Sequence, residues 1–203
     1  TASNSTSDVT LTVVVSDAGN TGVGGTKSSS TSATLSVTAV DDAPTISTAG
    51  ITTVVTEDVA TAVSGITFAD IDTTGNVTVR LAASAGTLAA TSGGSVTVTN
   101  SGTATITLVG TVANINSFIS GNNVTYTTAS NSTSSVTLTI GIDDGANNAE
   151  VTTDSTLTVT AVNDAPTLST FSNMTVTEDV ATALTSIQIA DVDAANSSVS
   201  ITL

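Results

Sequence analysis

Residues 34–45 read Thr34-Leu-Ser-Val-Thr-Ala-Val-Asp-Asp-Ala-Pro-Thr45, and 122 positions later the phrase returns as Thr156-Leu-Thr-Val-Thr-Ala-Val-Asn-Asp-Ala-Pro-Thr167. Repetition at a fixed period marks one structural unit used again, so it decides the fold before any local propensity does. Working outward, further blocks fall into register. Thr56-Glu-Asp-Val-Ala-Thr-Ala62 returns unchanged as residues 177–183, and Ala69-Asp-Ile-Asp72 as Ala190-Asp-Val-Asp193, both at an offset of 121. Thr1-Ala-Ser-Asn-Ser-Thr-Ser7 returns as residues 128–134 at an offset of 127, the extra five positions fitting a longer loop between Gly19 and Ser32. The expected organisation is the C-terminal part of one repeat at 1–40, a complete repeat at 41–162 and the N-terminal part of the next at 163–203.

Within each unit, apolar and hydroxyl residues alternate. Val9, Leu11, Val13 and Val15 form one such row, and Leu35, Val37 and Ala39 another. A period of two with Val, Ile and Thr suits a half-buried pleated strand, and Gly, Asn and Asp clusters punctuate it. Strands are expected near 51–56, 63–68, 76–82, 95–99, 103–109, 123–127, 135–142 and 155–162. Val112, Ile115, Phe118 and Ile119 are spaced for one helical face, which predicts a short helix. Eight short strands in about 120 residues point to an all-β fold: tandem antiparallel sandwiches of the immunoglobulin type, with one short helix per repeat.

Composition narrows the chemistry. Seventeen acidic residues face two cations, Lys27 and Arg80, for a formal net charge of −15, and there is no His, Cys or Trp. Two cations cannot neutralise a nucleic-acid backbone or an anionic membrane surface. Without His or Cys the usual bases, thiol nucleophiles and zinc sites are gone. A chain this charged would be disordered without core-forming residues, but 39% of it is hydrophobic and largely β-branched. The 45 Thr and 28 Ser make the sequons at Asn4, Asn76, Asn123, Asn131, Asn173 and Asn196 expected by chance. The first residues carry no basic-then-apolar leader pattern, and the chain is expected to be an excerpt of a longer polypeptide.

The carboxylates are not spread as a solvating coat. Asp17, Asp41, Asp42, Glu57, Asp58, Asp70, Asp72, Asp143, Asp144, Asp164, Glu178, Asp179, Asp191 and Asp193 fall in the repeated motifs, and only Asp8, Glu150 and Asp154 lie elsewhere. Clustered carboxylates repel unless a cation sits among them. Oxygen ligands at this density select Ca²⁺, which accepts 6–8 oxygens in flexible geometry, over the stricter Mg²⁺. Each motif alone also reads as a turn or a stiff linker, since Asp caps its own backbone and Pro fixes φ. Four motifs repeated in register favour the metal.

The carrying motifs are Asn163-Asp-Ala-Pro166 with Asp41-Asp-Ala-Pro44, Glu57-Asp58, Asp70-Ile-Asp72 and Asp143-Asp-Gly145. Together they resemble the extracellular cadherin repeat, and more closely the cadherin-like repeats of very large bacterial surface proteins. The resemblance implies calcium between successive repeats. The first junction would use Asp41, Asp42, Asp70, Asp72 and one or both of Asp143 and Asp144. The second would use Glu57 and Asp58, then Asn163, Asp164, Asp191 and Asp193. Glu178 and Asp179, which repeat Glu57 and Asp58, are expected at a further junction beyond Leu203, and Asp17 at one before Thr1. No mid-domain acidic triplet is present and the linker is short, so one or two ions per junction are expected.

The function expected is a calcium-stiffened stalk or fibre segment of a large extracellular adhesin at the cell surface. Its partners would be neighbouring repeats and copies of itself, with no nucleic acid and no membrane insertion. A self-assembling filament is the near alternative. A carbohydrate-binding sandwich is a second, although the whole repeat offers only Phe68, Phe118 and Tyr126 for sugar stacking. No enzyme is expected, because acids reused in every repeat read as joints and not as a single active site.

Overall fold

The structure is a computed structural model and describes residues 4–19, 22–146, 149–169, 173, 175–183, 187–194 and 198–202, so the sequon at Asn196 lies outside the described residues. The chain opens on an antiparallel hairpin, β1 (Val9–Ser16) and β2 (Ser28–Leu35). After the first linker come β3 (Thr45–Ser47), β4 (Val54–Thr56), β5 (Thr61–Ala62), β6 (Thr67–Ala69), β7 (Val77–Ala83), β8 (Thr87–Ala90), β9 (Thr97–Thr99) and β10 (Thr105–Gly110). Helix α1 (Val112–Ser120) precedes β11 (Val124–Thr127), β12 (Val136–Asp143) and β13 (Val151–Thr160). Beyond the second linker, β14 (Thr167–Leu168) pairs with β15 (Ile189–Ala190).

The fold is mostly β and sandwich-like. A six-stranded sheet, ordered β4-β13-β12-β7-β10-β9, lies with a three-stranded sheet, β5-β11-β8, and a β3-β6 pair around one core. The alternation seen in the sequence sets the two faces. Val77, Val79 and Leu81 of β7 and Leu138, Ile140 and Ile142 of β12 are at most 1% exposed, while Thr78 and Thr137 between them face solvent. From the other layer Val63, Leu88, Val124 and Tyr126 meet them, each contributing roughly 1.5–3 kcal/mol of burial. Tyr126 donates its buried hydroxyl to Ala85 O at 3.0 Å, which satisfies its one polar atom.

The helix forms where its apolar spacing placed it. Thr111 caps it by accepting from Asn114 N, and Ile115, Phe118 and Ile119 enter the core. Asn116 ties it to β6 by accepting from Phe68 N and donating to Phe68 O, both at 2.9 Å.

Three local features differ from expectation. The single strand expected over 63–68 is broken into β5 and β6 at Gly65, which has φ +77° and lies where a Cβ would sit 1.7 Å from Gly50 O. Strands β3 and β8 were not anticipated, because Thr45-Ile-Ser47 is only three residues long and Thr87-Leu-Ala-Ala90 has no polar alternation. Pairing is also not wholly antiparallel: β4 runs parallel to β13, with Val55 opposite Val159. The segment that begins as β3 in one layer crosses at Gly50 and arrives at the outer edge of the other still running forward.

Matched contacts recur around the two linkers. β1 pairs with β2 through Val9↔Leu35, the register in which β12 pairs with β13 through Val136↔Leu157. Thr45 Oγ1 donates to Ala69 O at 3.1 Å and Thr167 Oγ1 to Ala190 O at 3.0 Å. Asp58 and Asp179 adopt φ +54° and +59°, and Asn4 and Asn131 φ +56° and +54°.

Candidate metal centre

The parallel pairing of β4 with β13 delivers Glu57 to the second linker. Its N–H donates to Thr160 O at 3.0 Å, and its Oε2 accepts from Val162 N at 3.0 Å. The side chain is 1% exposed, so this carboxylate is buried against the linker backbone. Asp58 follows in the left-handed region, which turns it toward the same point. Its N–H donates to Thr128 Oγ1 at 2.9 Å, and its two oxygens accept from Asn131 N at 3.2 and 3.3 Å. From beyond the linker, Asp164 N donates to Asp193 Oδ2 at 2.5 Å, and Asp193 N to Asp191 Oδ1 at 3.0 Å. One oxygen each from Glu57, Asp58 and Asp164 then lies within 4.8 Å of the others.

This grouping is electrostatically unfavourable by itself. The Asp164 carboxyl is pushed above its ordinary value, first by desolvation and then by the charges of Asp193, Asp58, Glu57 and Asp191. Its Oδ2 is buried with no hydrogen-bond donor. A buried carboxylate oxygen without a donor needs a reason to persist, and a cation supplies one.

The first linker repeats the downstream half of the arrangement. Asp42 N donates to Asp72 Oδ2 at 3.0 Å, and Asp70 Oδ1 accepts from Asp72 N and Thr73 N at 3.1 and 2.9 Å. Desolvation is the largest influence on Asp70 and raises its pKa, but the two N–H donors together outweigh it and hold the group below its ordinary value. Asp41 is raised, by desolvation and then by Asp144, Asp72, Asp70 and Asp42. Asp70 Oδ2, Asp72 Oδ1 and Asp144 Oδ2 are buried without donors. Every such oxygen among the described residues therefore belongs to one of the two sets of acids.

The sequence-derived sets divide as follows. Glu57, Asp58, Asp164, Asp191 and Asp193 share one electrostatic neighbourhood at the second linker, and Asp41, Asp42, Asp70, Asp72 and Asp144 another at the first. Asp143 caps its own turn, accepting from Gly145 N at 2.8 Å. Asn163 turns its amide to Asp164 O at 3.2 Å. Thr128 and Asn131 orient Asp58 and were not singled out, although their block repeats at Thr1 to Ser7. Beside each linker is an open groove, of about 530 Å³ with Asn4, Thr6, Val40 and Asp72 on its walls, and of about 430 Å³ with Asn131, Thr133, Val162 and Asp193. Neither groove is lined by an aromatic ring.

The donors are all hard oxygens, and they fit a divalent cation of the hard class. No protein-family model matches the chain, and no curated protein matches it.

Proposed function

We propose that the chain is a calcium-stiffened structural segment of a large extracellular surface protein, built from tandem cadherin-like sandwiches of about 122 residues with ions at their joints. The carrying observation is that two acids from before the second linker converge on Asp164 within it, whose Oδ2 is buried and lacks a donor, while Asp193 from beyond the linker accepts from its N–H. Glu57 and Asp58 lie before the second linker, Asp164 in it, and Asp191 and Asp193 after it, so one ion would bind the two flanking units to each other. Calcium suits this role better than magnesium, because three carboxylates in irregular geometry suit a large flexible oxygen shell better than a strict octahedron. Sites of extracellular modules bind at about 10⁻⁴–10⁻³ M, a range that extracellular calcium fills.

Joint and active site differ in a checkable way. The same hydrogen-bond pattern, linker N–H to the second Asp of Asp-x-Asp and that Asp's N–H to the first, occurs at both linkers. Repeated identical acids serve a stalk, whereas catalysis needs one differentiated pair. Small-angle scattering of the full chain tests the reading. With calcium the maximum dimension should be long and well defined, and with EGTA the ensemble should broaden while circular dichroism keeps its β signal. Scattering curves that superimpose would overturn it.

A further inference from the structure

We propose that Thr128 is a positioning residue of the second-linker cation site: its hydroxyl, reaching across from the three-stranded sheet, holds Asp58 where a carboxylate oxygen meets those of Glu57 and Asp164. The inference rests on the ion-binding reading above and deepens it by naming what sets the affinity of that site.

Asp58 does not hold its place unaided. Its φ of +54° is left-handed, a region that a residue with a side chain keeps where its surroundings fix it. Two contacts from one segment do so. The Asp58 N–H donates to Thr128 Oγ1 at 2.9 Å, and Asn131 N donates to both Asp58 oxygens at 3.2 and 3.3 Å. Burial singles out the same place. Apart from the tyrosine of the core, Glu57 at 1% and Thr128 at 7% exposure are the buried polar or charged residues among those described. Drawing a hydroxyl out of water is unfavourable unless it finds a partner, and the partner here is the backbone of a metal-site acid.

The contact also joins the two layers. Glu57 and Asp58 follow β4, on the edge of the six-stranded sheet, and Thr128 directly follows β11, the middle strand of the three-stranded one. Glu57 is fixed from its own layer through Thr160 O and from the linker through Val162 N, whereas Asp58 is fixed from the opposite layer. Asp164 completes the group from the linker. The repeats point to the same pairing. The two longest stretches that return unchanged in the chain, 56–62 and 128–134, are the two that meet at Asp58, while the linker itself differs, with Asp41 in one copy and Asn163 in the other. Groups that orient a ligand without touching the metal set its affinity, because a ligand left unheld must be ordered each time the ion binds.

Calorimetric titration of the full chain with calcium tests the proposal. Thr128→Val keeps the shape and removes the acceptor for the Asp58 N–H. It should weaken the second-linker site, the one that Glu57→Gln also weakens, by about 10–100-fold and leave the first-linker site unchanged. Thr128→Ser keeps the oxygen and should bind as the wild type does. Melting with calcium and with EGTA separates positioning from packing. The calcium-induced rise in Tm should shrink in Thr128→Val and return in Thr128→Ser, whereas a merely structural Thr128 would lower the Tm equally in both buffers. Wild-type affinity in Thr128→Val, a loss in Thr128→Ser as large as in Thr128→Val, or an equal fall in Tm in both buffers overturns the role of Thr128 and leaves the joint standing. A wild type that binds no calcium overturns both.

Discussion

Replacing Glu57 by Gln should reverse sign with calcium. In the wild type Glu57 does two jobs: Oε2 holds Val162 N–H, and the charge stands with Asp58 and Asp164. Glutamine keeps an oxygen for Val162 and drops the charge. The Glu57 and Asp58 oxygens lie within 4.8 Å. Two charges at that distance cost about 1 kcal/mol in water and about 3.5 kcal/mol at an effective dielectric of 20; exposed Asp58 places this pair near the lower figure. In EGTA the variant should therefore be about 1 kcal/mol more stable, a rise in Tm of roughly 3–5 °C for a unit of this size. Calcium at a hundred times its Kd adds about 2.7 kcal/mol to the wild type. A tenfold weaker site retains about 1.4 kcal/mol at the same concentration. The variant should melt above the wild type in EGTA, and its calcium-induced shift should be about half as large. Differential scanning calorimetry in both buffers reads this directly. An equal calcium shift in both proteins, or an equal loss of stability in both buffers, would mean that Glu57 is only an acceptor for the linker.

Further outcomes follow from the same geometry. Asp41 and Asp164 have folded pKa values raised above the ordinary 3.8, so in EGTA their contribution to stability is complete below 3.8 and is lost as pH rises through the raised values. That contribution to the Tm in EGTA should shrink as pH climbs above 3.8, opposed by Asp70, whose lowered pKa adds stability there, while the calcium-induced shift grows as the carboxyls deprotonate; a calcium-induced shift that does not change with pH would refute this. Asp70→Asn with Asp72→Asn should abolish calcium at the first linker and leave the second, whereas Glu57→Gln should weaken the second about tenfold and leave the first; calorimetric titration separates the losses, and both variants weakening one site would refute the assignment. Gly65→Ala meets Gly50 O and needs φ +77°, and should cost at least about 2 kcal/mol, read from urea unfolding; a loss under about 0.5 kcal/mol would refute the close approach.

What the sequence disclosed tracks how local each feature is. Alternation marked β7, β10 and β12 because each buries one face, and the helix announced itself through Ile115 and Phe118. The acids were legible because their motifs repeat. Gly65 hid a break inside an apolar run, since nothing in the sequence tells that Gly50 crosses there. The partnership of Glu57 with Val162 spans 105 residues and depends on a parallel edge pairing, which antiparallel reasoning does not supply. Asp143 and Asp144 could not be ranked as neighbours in one turn. Both cap the turn, Asp143 accepting from Gly145 N and Asp144 from Ala146 N, and the structure separates them because Asp144 alone of the two raises Asp41 and holds a buried oxygen without a donor.

The linker chemistry gives the proposed joint a reason to respond to an ion and not merely tolerate one. The linker N–H groups of Val162 and Asp164 donate to carboxylates from opposite sides, Glu57 before the linker and Asp193 after it. Those bonds place the backbone, but they also draw like charges together, and the Asp164 carboxyl is raised first by desolvation and then by those charges. Protonation relieves the repulsion by removing a ligand; a divalent cation relieves it by using one. Above the raised pKa values only the cation remains as a remedy, so under the proposed function the joint would be set with calcium and loosened without it. The core between the two linkers needs no such help, since Leu81, Ile106 and Ile140 are fully buried among apolar neighbours. Stiffness and fold are thereby separable properties, and chelation should remove the first while leaving the second.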